Sequence, residues 1–228
     1  MDIYLVNALE LETYAPRLVP LLTRWRRHQL DNAPTVYARR GSLACSMMLR
    51  HVLGWTDDEG LSISKTGKPI PAGGKHFNMA YAKDLAVLAV DDDPVGVDIE
   101  PIFPFKDITL RHIGRLEEAD WVHEAEPELR FFTLWTRKES ITKADGRGHL
   151  LAPKTFTIVP LEEQPHDIFG DKWYTETVVW DDYVISAASP HPIDRLNIIH
   201  LKPEDLVPPQ EEDDGGEWNG EQEFYYGD

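Results

Sequence analysis

The sequence predicts an α+β protein built from two similar halves. A helix-forming segment followed by strand-like runs occurs once before residue 100 and again after residue 106. Of the 228 residues, 42% are hydrophobic, which is enough to bury a real core in one large domain or two small ones. We therefore divide the chain into an N-terminal half over residues 1–104, a C-terminal half over residues 105–202 and an acidic, disordered tail over residues 203–228.

The first half begins with a strand and continues with two helices. An apolar run predicts the strand over residues 3–6, and residues 16–28 are typical of a helix. Residues 38–53 predict an amphipathic helix that stops at Gly54, because apolar side chains recur there at near-helical spacing. Beyond it, residues 66–69 form a turn that carries Lys68.

Two apolar runs close the first half. They lie at residues 85–90 and 95–99, and the four residues between them read Asp-Asp-Asp-Pro. Because this is a turn signal, the pattern predicts a β-hairpin.

The second half repeats the order of helix and strands. Residues 106–146 are helical in character, and a long helix over residues 129–143 is flanked by Pro127 and Gly146, which favour its start and its end. Strand-like runs follow at residues 156–159, 174–180, 183–189 and 196–201.

Several classes of protein and site are excluded by composition. The single cysteine, Cys45, rules out a disulfide framework and a cysteine-cluster metal site. The nine histidines form no HxH or HExxH pattern, and GxSxG, GxxxxGK[ST] and GxGxxG are absent. Since no apolar run approaches about 20 residues and the N-terminus lacks signal-peptide features, we expect a soluble, cytoplasmic protein that binds no membrane.

The charge is unevenly distributed along the chain. The formal net charge of −17 argues against nucleic acid as a partner. Residues 203–228 contain ten acidic residues and no Lys or Arg, so the rest of the chain carries only −7. Residues 24–50 hold six arginines against one acid, Asp31. This Arg-rich stretch is either a docking surface for an acidic protein or an ordinary solvated helix face.

A pair of carboxylates ends the strand over residues 95–99. Asp98 and Glu100 are two residues apart, so their side chains share one face of the strand. Two adjacent carboxylates repel each other, and a hard cation would relieve that repulsion. The alternative is a strand end that enters solvent with ordinary surface acids.

A second polar pair lies on the long helix of the second half. Glu139 and Lys143 are spaced i,i+4, in the order that favours an ion pair on one helix face. On its own this spacing favours an ordinary surface ion pair of a few tenths of a kcal/mol. The neighbouring residues 131–135 include four large apolar side chains, which we interpret as core.

In order, these motifs resemble a known family. The sequence reads GKP at 67–69, HFN at 76–78, GVDIE at 96–100 and WTRKES at 135–140, followed by Lys143 and Gly146. This order and spacing resemble the 4′-phosphopantetheinyl transferase superfamily, in its larger, Sfp-like type. The resemblance implies two halves related by pseudo-twofold symmetry, with coenzyme A in the cleft between them, and a monomer.

The resemblance also implies an activity. Members transfer the 4′-phosphopantetheine arm of coenzyme A to a serine of an acyl or peptidyl carrier protein and release 3′,5′-ADP. It implies that Mg²⁺ is held by Asp98, Glu100 and Glu139, that Glu139 acts as the base, and that Lys143 neutralises charge on the phosphates. The residues implied to bind coenzyme A are Arg40, Lys68, Pro69, Tyr81 and Lys143.

The chain departs from the family pattern at two places. Residues 80–82 read Ala-Tyr-Ala where the family usually has Ser-His-Ser, so a neutral Tyr81 replaces a histidine. Arg40 and Arg50 are ten residues apart, whereas the family commonly spaces two arginines by nine. These departures predict weaker or altered coenzyme binding, or a different preference for the group on the arm.

Two other functions stay open at this level. One is a relative that binds coenzyme A or a carrier protein without transfer, which residues 80–82 favour. The other is a Mg²⁺-dependent phosphohydrolase that uses water in place of serine. Because carrier proteins of this kind are usually acidic, the Arg-rich stretch over residues 24–50 is a candidate docking surface, and the acidic tail could compete for it.

Overall fold

The computed structural model describes residues 1–71 and 73–209. Within these ranges, no helix combines the length and the apolar character needed to cross a membrane. Most of the predicted acidic tail, residues 210–228, lies outside the described residues.

Seven α-helices are present in the described part of the chain. Four are in the N-terminal region: α1 (Ala8–Leu11), α2 (Ala15–Leu18), α3 (Arg24–Asp31) and α4 (Val36–Leu53). Three follow later: α5 (Asp107–Ile113), α6 (Leu116–Glu124) and α7 (Pro127–Asp145). The two long helices, α4 and α7, both end at a glycine in the left-handed conformation, Gly54 and Gly146, as the sequence predicts.

The strands form two four-stranded sheets and one small hairpin. The first sheet has the order β10 (Asn197–Leu201), β1 (Asp2–Asn7), β5 (Leu85–Asp91), β4 (His76–Ala82). The second has the order β6 (Gly96–Pro101), β9 (Tyr183–Ser189), β8 (Asp171–Trp180), β7 (His166–Ile168). The hairpin joins β2 (Leu61–Ile63) to β3 (Pro69–Pro71).

The same chain path occurs twice. In the first sheet β1 is followed by α4 and then by the β4–β5 hairpin, and β1 pairs with β5. In the second, β6 is followed by α7 and then by the β8–β9 hairpin, and β6 pairs with β9. The fold is therefore α+β, with one long helix packed on each sheet.

The predicted hairpin between residues 85–90 and 95–99 is wrong. Both edges of β5 are already paired, with β1 and β4, so β6 crosses to the second sheet and pairs with β9. Strand β6, which lies before the predicted boundary between residues 104 and 105, therefore pairs within the second sheet. At the other end of the chain, β10 pairs in parallel with β1 and returns to the first sheet.

Three other boundaries differ from prediction. The predicted helix over residues 16–28 is interrupted, because Pro20 offers no N–H to continue it and Thr23 caps α3 with its hydroxyl. Residues 156–159 form no strand, since the Ile158 amide donates to the Glu118 carboxylate instead of to a ladder. The first residues of the predicted tail, Pro203–Leu206, form a 3₁₀ turn with Leu206 buried.

The hydrophobic core has three parts. One lies between α4 and the first sheet, and one lies between α7 and the second sheet. The third lies between the two sheets and contains Ala80, Ala82, Val97, Ile99 and Ile185 among others. This third core fixes β6 against β4, where the buried Asn78 side chain accepts a hydrogen bond of 3.0 Å from the Val97 amide.

Candidate active site

Strand β6 separates its apolar and acidic side chains onto opposite faces. Val97 and Ile99 enter the core between the sheets. Asp98 and Glu100 are contacted by side chains of α7 on the other face. The two carboxylates therefore share one face, as predicted from their spacing.

A stripe of three residues on α7 faces this acidic pair. Trp135, Glu139 and Lys143 are spaced i, i+4 and i+8, so they lie along one side of the helix. Lys143 Nζ is 2.6 Å from Asp98 Oδ1 and 3.1 Å from the Val97 carbonyl oxygen. Trp135 Nε1 is 3.3 Å from Glu100 Oε1. Because the two ends of the stripe touch Asp98 and Glu100, Glu139 lies between them along the helix.

Gly96 permits the close approach of α7 to β6. A Cβ atom at this position would lie 1.9 Å from the Ser140 carbonyl oxygen and 2.5 Å from the Ala144 amide nitrogen. Any larger residue would push the helix away, because the contact is with rigid backbone. The glycine of the GVDIE motif thus sets the distance between the acidic strand and the helix stripe.

The acidic pair is electrostatically strained. Burial raises the pKa of Asp98, and the Lys143 charge and hydrogen bond oppose that rise. Burial, followed by the charge of Asp98, raises the pKa of Glu100 to about 7, with a smaller contribution from Glu139 and an opposing one from the Trp135 hydrogen bond. The folded protein therefore holds carboxylates whose ionised forms need a further positive charge.

The oxygen donors of the acidic pair are compatible with a hard metal ion. In residues 1–71 and 73–209, no three His, Cys, Asp or Glu side chains form a ready-made metal-binding group. Asp98 Oδ2 is buried and has no hydrogen-bond partner, and Glu100 is ionised only with difficulty. Carboxylate oxygens of this kind fit Mg²⁺, which binds through one or two carboxylates together with phosphate oxygens and waters rather than in an all-protein cage.

The β2–β3 hairpin reaches the end of α7. Lys68 Nζ is 2.5 Å from the Ala144 carbonyl oxygen, and Thr66 Oγ1 is 2.5 Å from the Gly146 carbonyl oxygen. Burial lowers the pKa of Lys68 to about 8, although Asp145 opposes this. Pro69, the next residue, begins β3. The predicted GKP segment thus lies within one turn of Lys143.

A cleft of about 690 Å³ opens beside Glu139. Its walls come from the β2–β3 turn and from the segment that follows α7, and its lining includes Lys65, Thr66, Glu139, Thr142, Leu151 and Pro153. The cleft therefore offers the Glu139 carboxylate, the cations of Lys65 and Arg147, and an apolar wall.

Tyr81 and its neighbours face two different environments. Ala80 and Ala82 are buried between the two sheets, so these positions serve packing. The Tyr81 side chain is 43% exposed and packs on Gly41, where a Cβ would lie 2.2 Å from the ring. Its pKa is raised by burial and lowered slightly by Lys143, so it lies within electrostatic range of the site. Where the family usually has hydroxyl residues at positions 80 and 82, this chain has alanines that pack in a core and do not face a ligand surface.

Two arginines of the Arg-rich stretch are engaged within the protein. Arg26 is buried and donates to Ser46 Oγ and to the Ser42 carbonyl. The Arg40 side chain is 11% exposed and pairs with Glu12 at 2.8 Å and Asp84 at 2.9 Å. The structure therefore gives both arginines partners within the first half, and Arg40 is not brought to the acidic pair.

Sequence reasoning missed two contacts of α7. Phe131, Phe132 and Leu134 are core residues as predicted, but Trp135 is also a hydrogen-bond donor to Glu100. Lys138 forms an ion pair of 2.5 Å with Glu118, and both side chains are fully buried. No local signal could reveal this pair, because its members are 20 residues apart and belong to different helices.

Comparisons with known proteins identify the segment that carries these residues. The family model of the 4′-phosphopantetheinyl transferase superfamily matches residues 94–188. The 4′-phosphopantetheinyl transferase psf-1 of Bacillus pumilus is 40% identical over 88 residues, 36% of each chain. The 4′-phosphopantetheinyl transferase Sfp of Bacillus subtilis (strain 168) is 32% identical over 102 residues, 42% of this chain and 46% of the relative.

A third relative extends the match. The 4′-phosphopantetheinyl transferase AcpT of Escherichia coli (strain K12) is 32% identical over 124 residues, 51% of this chain and 63% of the relative. The chain thus spans between about a third and two thirds of the length of these curated relatives. The matched segment contains Asp98, Glu100, Glu139 and Lys143, and it is similar to the 4′-phosphopantetheinyl transferase superfamily, including relatives of the Sfp-like type.

Proposed function

We propose that the protein transfers the 4′-phosphopantetheine arm of coenzyme A to a serine of an acyl or peptidyl carrier protein and releases 3′,5′-ADP. The observation that carries this proposal is the Trp135–Glu139–Lys143 stripe of α7 seated on Asp98 and Glu100. These residues lie in the segment that matches the superfamily model. The relatives named above are themselves described as 4′-phosphopantetheinyl transferases.

The coenzyme lies where the two repeated units meet, and the units are related by a pseudo-twofold axis. The repeated path of strand, long helix and hairpin supports this arrangement. So does the position of Lys143, which belongs to the second unit: burial raises the pKa of Cys45 and Tyr81 in the first unit, and the Lys143 charge opposes that rise. We expect a monomer that works in the cytoplasm, as the resemblance to larger family members implies.

Asp98, Glu100 and Glu139 would hold a Mg²⁺ ion together with the pyrophosphate of the coenzyme. The buried, unpartnered Asp98 Oδ2 and the raised pKa of Glu100 support this assignment. A bound Mg²⁺ would neutralise charge on the pyrophosphate during phosphoryl transfer.

In the proposed reaction, Glu139 accepts a proton and Lys143 stabilises negative charge on the phosphates. Glu139, directly or through one water, takes the proton of the serine hydroxyl as the serine oxygen bonds to the phosphorus of the pantetheine phosphate. The bond from that phosphorus to the bridging oxygen breaks, and 3′,5′-ADP leaves with the bridging oxygen. Lys143 donates two hydrogen bonds within the protein, so its third N–H can stabilise charge on the phosphates.

Lys68, Pro69 and Tyr81 complete the coenzyme site in this proposal. Lys68 binds the carbonyl of Ala144, one residue beyond Lys143, so two lysines converge at this end of α7. Tyr81 is exposed on the first unit within electrostatic range of Lys143. Arg40 belongs to this proposed site through the family pattern, and its partners in the structure are Glu12 and Asp84.

The test is a panel of acyl and peptidyl carrier proteins incubated with the protein, coenzyme A and Mg²⁺. Intact-mass spectrometry should show a gain of one phosphopantetheine arm on at least one carrier. Coenzyme turnover without carrier modification would instead indicate a phosphohydrolase. Absence of both reactions across the panel would contradict the proposal.

The Glu139→Gln variant sharpens this test. It removes the proposed base and a metal ligand while changing little volume, so transfer should fall by roughly 10²-fold or more. The thermal unfolding midpoint should stay close to that of the wild type. A variant that modifies the carrier at the wild-type rate would show that Glu139 is not part of the machinery.

A second candidate is a protein that binds coenzyme A or a carrier protein without transfer. It is favoured by one observation, the neutral Tyr81 where the family has a histidine. Isothermal titration with coenzyme A discriminates the two functions when it is combined with the carrier panel. Tight coenzyme binding without any carrier mass gain would favour the second candidate.

A further inference from the structure

Trp135 lies at the far end of the α7 stripe from Lys143. Its indole packs partly buried against the core of the second unit, and its Nε1 is 3.3 Å from Glu100 Oε1. Glu139 is the next residue of the same stripe, one turn along the helix. The indole therefore borders the proposed metal site without being able to serve as a ligand, because it has only an N–H donor.

The geometry divides the hydrogen-bond donors of α7 between the two strand carboxylates. Lys143 is directed at Asp98, and Trp135 is directed at Glu100. Both bonds favour the ionised carboxylate. The tryptophan holds only one oxygen, Oε1, so the other carboxylate oxygen of Glu100 stays available to a ligand.

The Trp135 indole is a rigid, neutral hydrogen-bond donor to the Glu100 carboxylate. The ring is fixed by core packing, and it sets the rotation of the carboxylate it binds. It also adds no positive charge, so it does not compete electrostatically with a cation. A lysine at this position would add a positive charge and would compete with a cation.

We propose that Trp135 is a positioning residue that orients the Glu100 carboxylate toward a divalent cation. This inference rests on the proposed function, because it requires that Glu100 binds the metal ion. It assigns to the tryptophan of the WTRKES motif a polar role in addition to its packing.

The experiment compares Trp135→Phe with a matched control, Trp173→Phe. Both variants keep an aromatic ring in the second unit, but Trp173 Nε1 is buried and has no hydrogen-bond partner in the described structure. The dissociation constant of Mg²⁺ is measured by isothermal titration, with and without saturating coenzyme A. Loss of a bond that orients a ligand should weaken Mg²⁺ binding by roughly tenfold or more in Trp135→Phe. Trp173→Phe should stay within about twofold of wild type.

A second readout separates positioning from general damage. If Trp135→Phe only weakens the metal site, excess Mg²⁺ should restore carrier modification to near the wild-type kcat, with a raised apparent KM for Mg²⁺. A structural defect would lower kcat at every Mg²⁺ concentration. Thermal unfolding of both variants verifies that they are folded.

The outcomes distinguish this inference from the proposed function. If the wild type binds Mg²⁺ and Trp135→Phe binds it equally well, the positioning role is overturned while the proposed function stands. If the wild type binds no Mg²⁺ under either condition, the metal assignment of Glu100 and the positioning role both fall.

Discussion

Two lysine–carboxylate contacts on α7, five residues apart, have opposite characters. Lys138 and Glu118 are 2.5 Å apart, and both side chains are 0% exposed. Lys143 and Asp98 are 2.6 Å apart, with side chains 29% and 9% exposed. The distances are nearly equal, so the difference lies in how completely each pair is surrounded by hydrogen-bond partners.

The buried pair is a closed network. Lys138 Nζ also lies within hydrogen-bond distance of the carbonyl oxygens of Ile113, Pro153 and Phe156. Glu118 accepts from the amides of Arg115 and Ile158. These contacts join the chain before α6 and the segment after α7 to one point on the helix. The pair therefore organises the fold beside the cleft that Glu139 lines.

The Lys143–Asp98 pair is open, in the sense that one of its carboxylate oxygens has no hydrogen-bond partner in the described structure. Lys143 reaches the Val97 carbonyl and Asp98 Oδ1, while Asp98 Oδ2 is buried and unpartnered. A buried carboxylate oxygen without a partner is costly unless a ligand completes it. Similar lysine–carboxylate distances thus occur in a closed structural network and in the pair that we propose as part of a binding site.

The largest expected effect comes from breaking the closed pair. Lys138→Met leaves the Glu118 carboxylate buried without its cation, so the free energy of unfolding should fall by about 3–5 kcal/mol. Urea unfolding followed by circular dichroism measures this. A loss below about 1 kcal/mol would show that the network is not essential to the fold.

A double variant provides the control for that loss. Lys138→Met combined with Glu118→Leu removes both charges, and burying an apolar pair in place of ions is often neutral or better. The double variant should therefore recover a substantial part of the stability that Lys138→Met loses. An equal or larger loss would point to the carbonyl contacts of Lys138, not to the ion pair.

A smaller effect is expected from the pH dependence of Glu100, the carboxylate beside the Lys143–Asp98 pair. The pKa of Glu100 is about 7 in the folded protein against 4.5 ordinarily. The folded state thus holds this proton more tightly, and the associated stability is full below pH 4.5 and is lost as pH rises through about 7. Without Mg²⁺, Glu100→Gln should become more stable than wild type over this window, on the order of 1 kcal/mol.

The measurement is urea unfolding of both proteins at several pH values. The difference between them should grow from pH 4.5 to 7, level off above 7, and shrink when Mg²⁺ is added to the wild type. A difference independent of pH would mean that Glu100 is not strained in the folded protein.

Local patterns in the sequence predicted the parts of the fold that depend on local signals. The α7 helix ends at Gly146 as expected, and β9 spans the predicted run over residues 183–189. The partner of β6 could not be predicted, because the turn signal at residues 91–94 indicated a hairpin while the pairing of β5 was already complete through β1 and β4. Strand order is a property of the whole sheet.

In the candidate site, too, local patterns predicted some features, while others depend on residues distant in sequence. The i,i+2 spacing of Asp98 and Glu100 and the i,i+4 spacing of Glu139 and Lys143 each defined a face, but nothing local showed that the two faces meet. The order of motifs supplied that link through the family resemblance. The contacts of Arg40 could not be predicted from local spacing either, since its partners Glu12 and Asp84 are distant in sequence.

The most direct test of this account is carrier modification by Lys143→Met, followed by intact-mass spectrometry and paired with its unfolding free energy. Transfer should fall by roughly 10²–10³-fold, as expected for loss of a group that stabilises transition-state charge. Its stability should fall by less than half of the loss measured for Lys138→Met. Wild-type transfer by a folded Lys143→Met protein would contradict the claim that the open pair is the catalytic one.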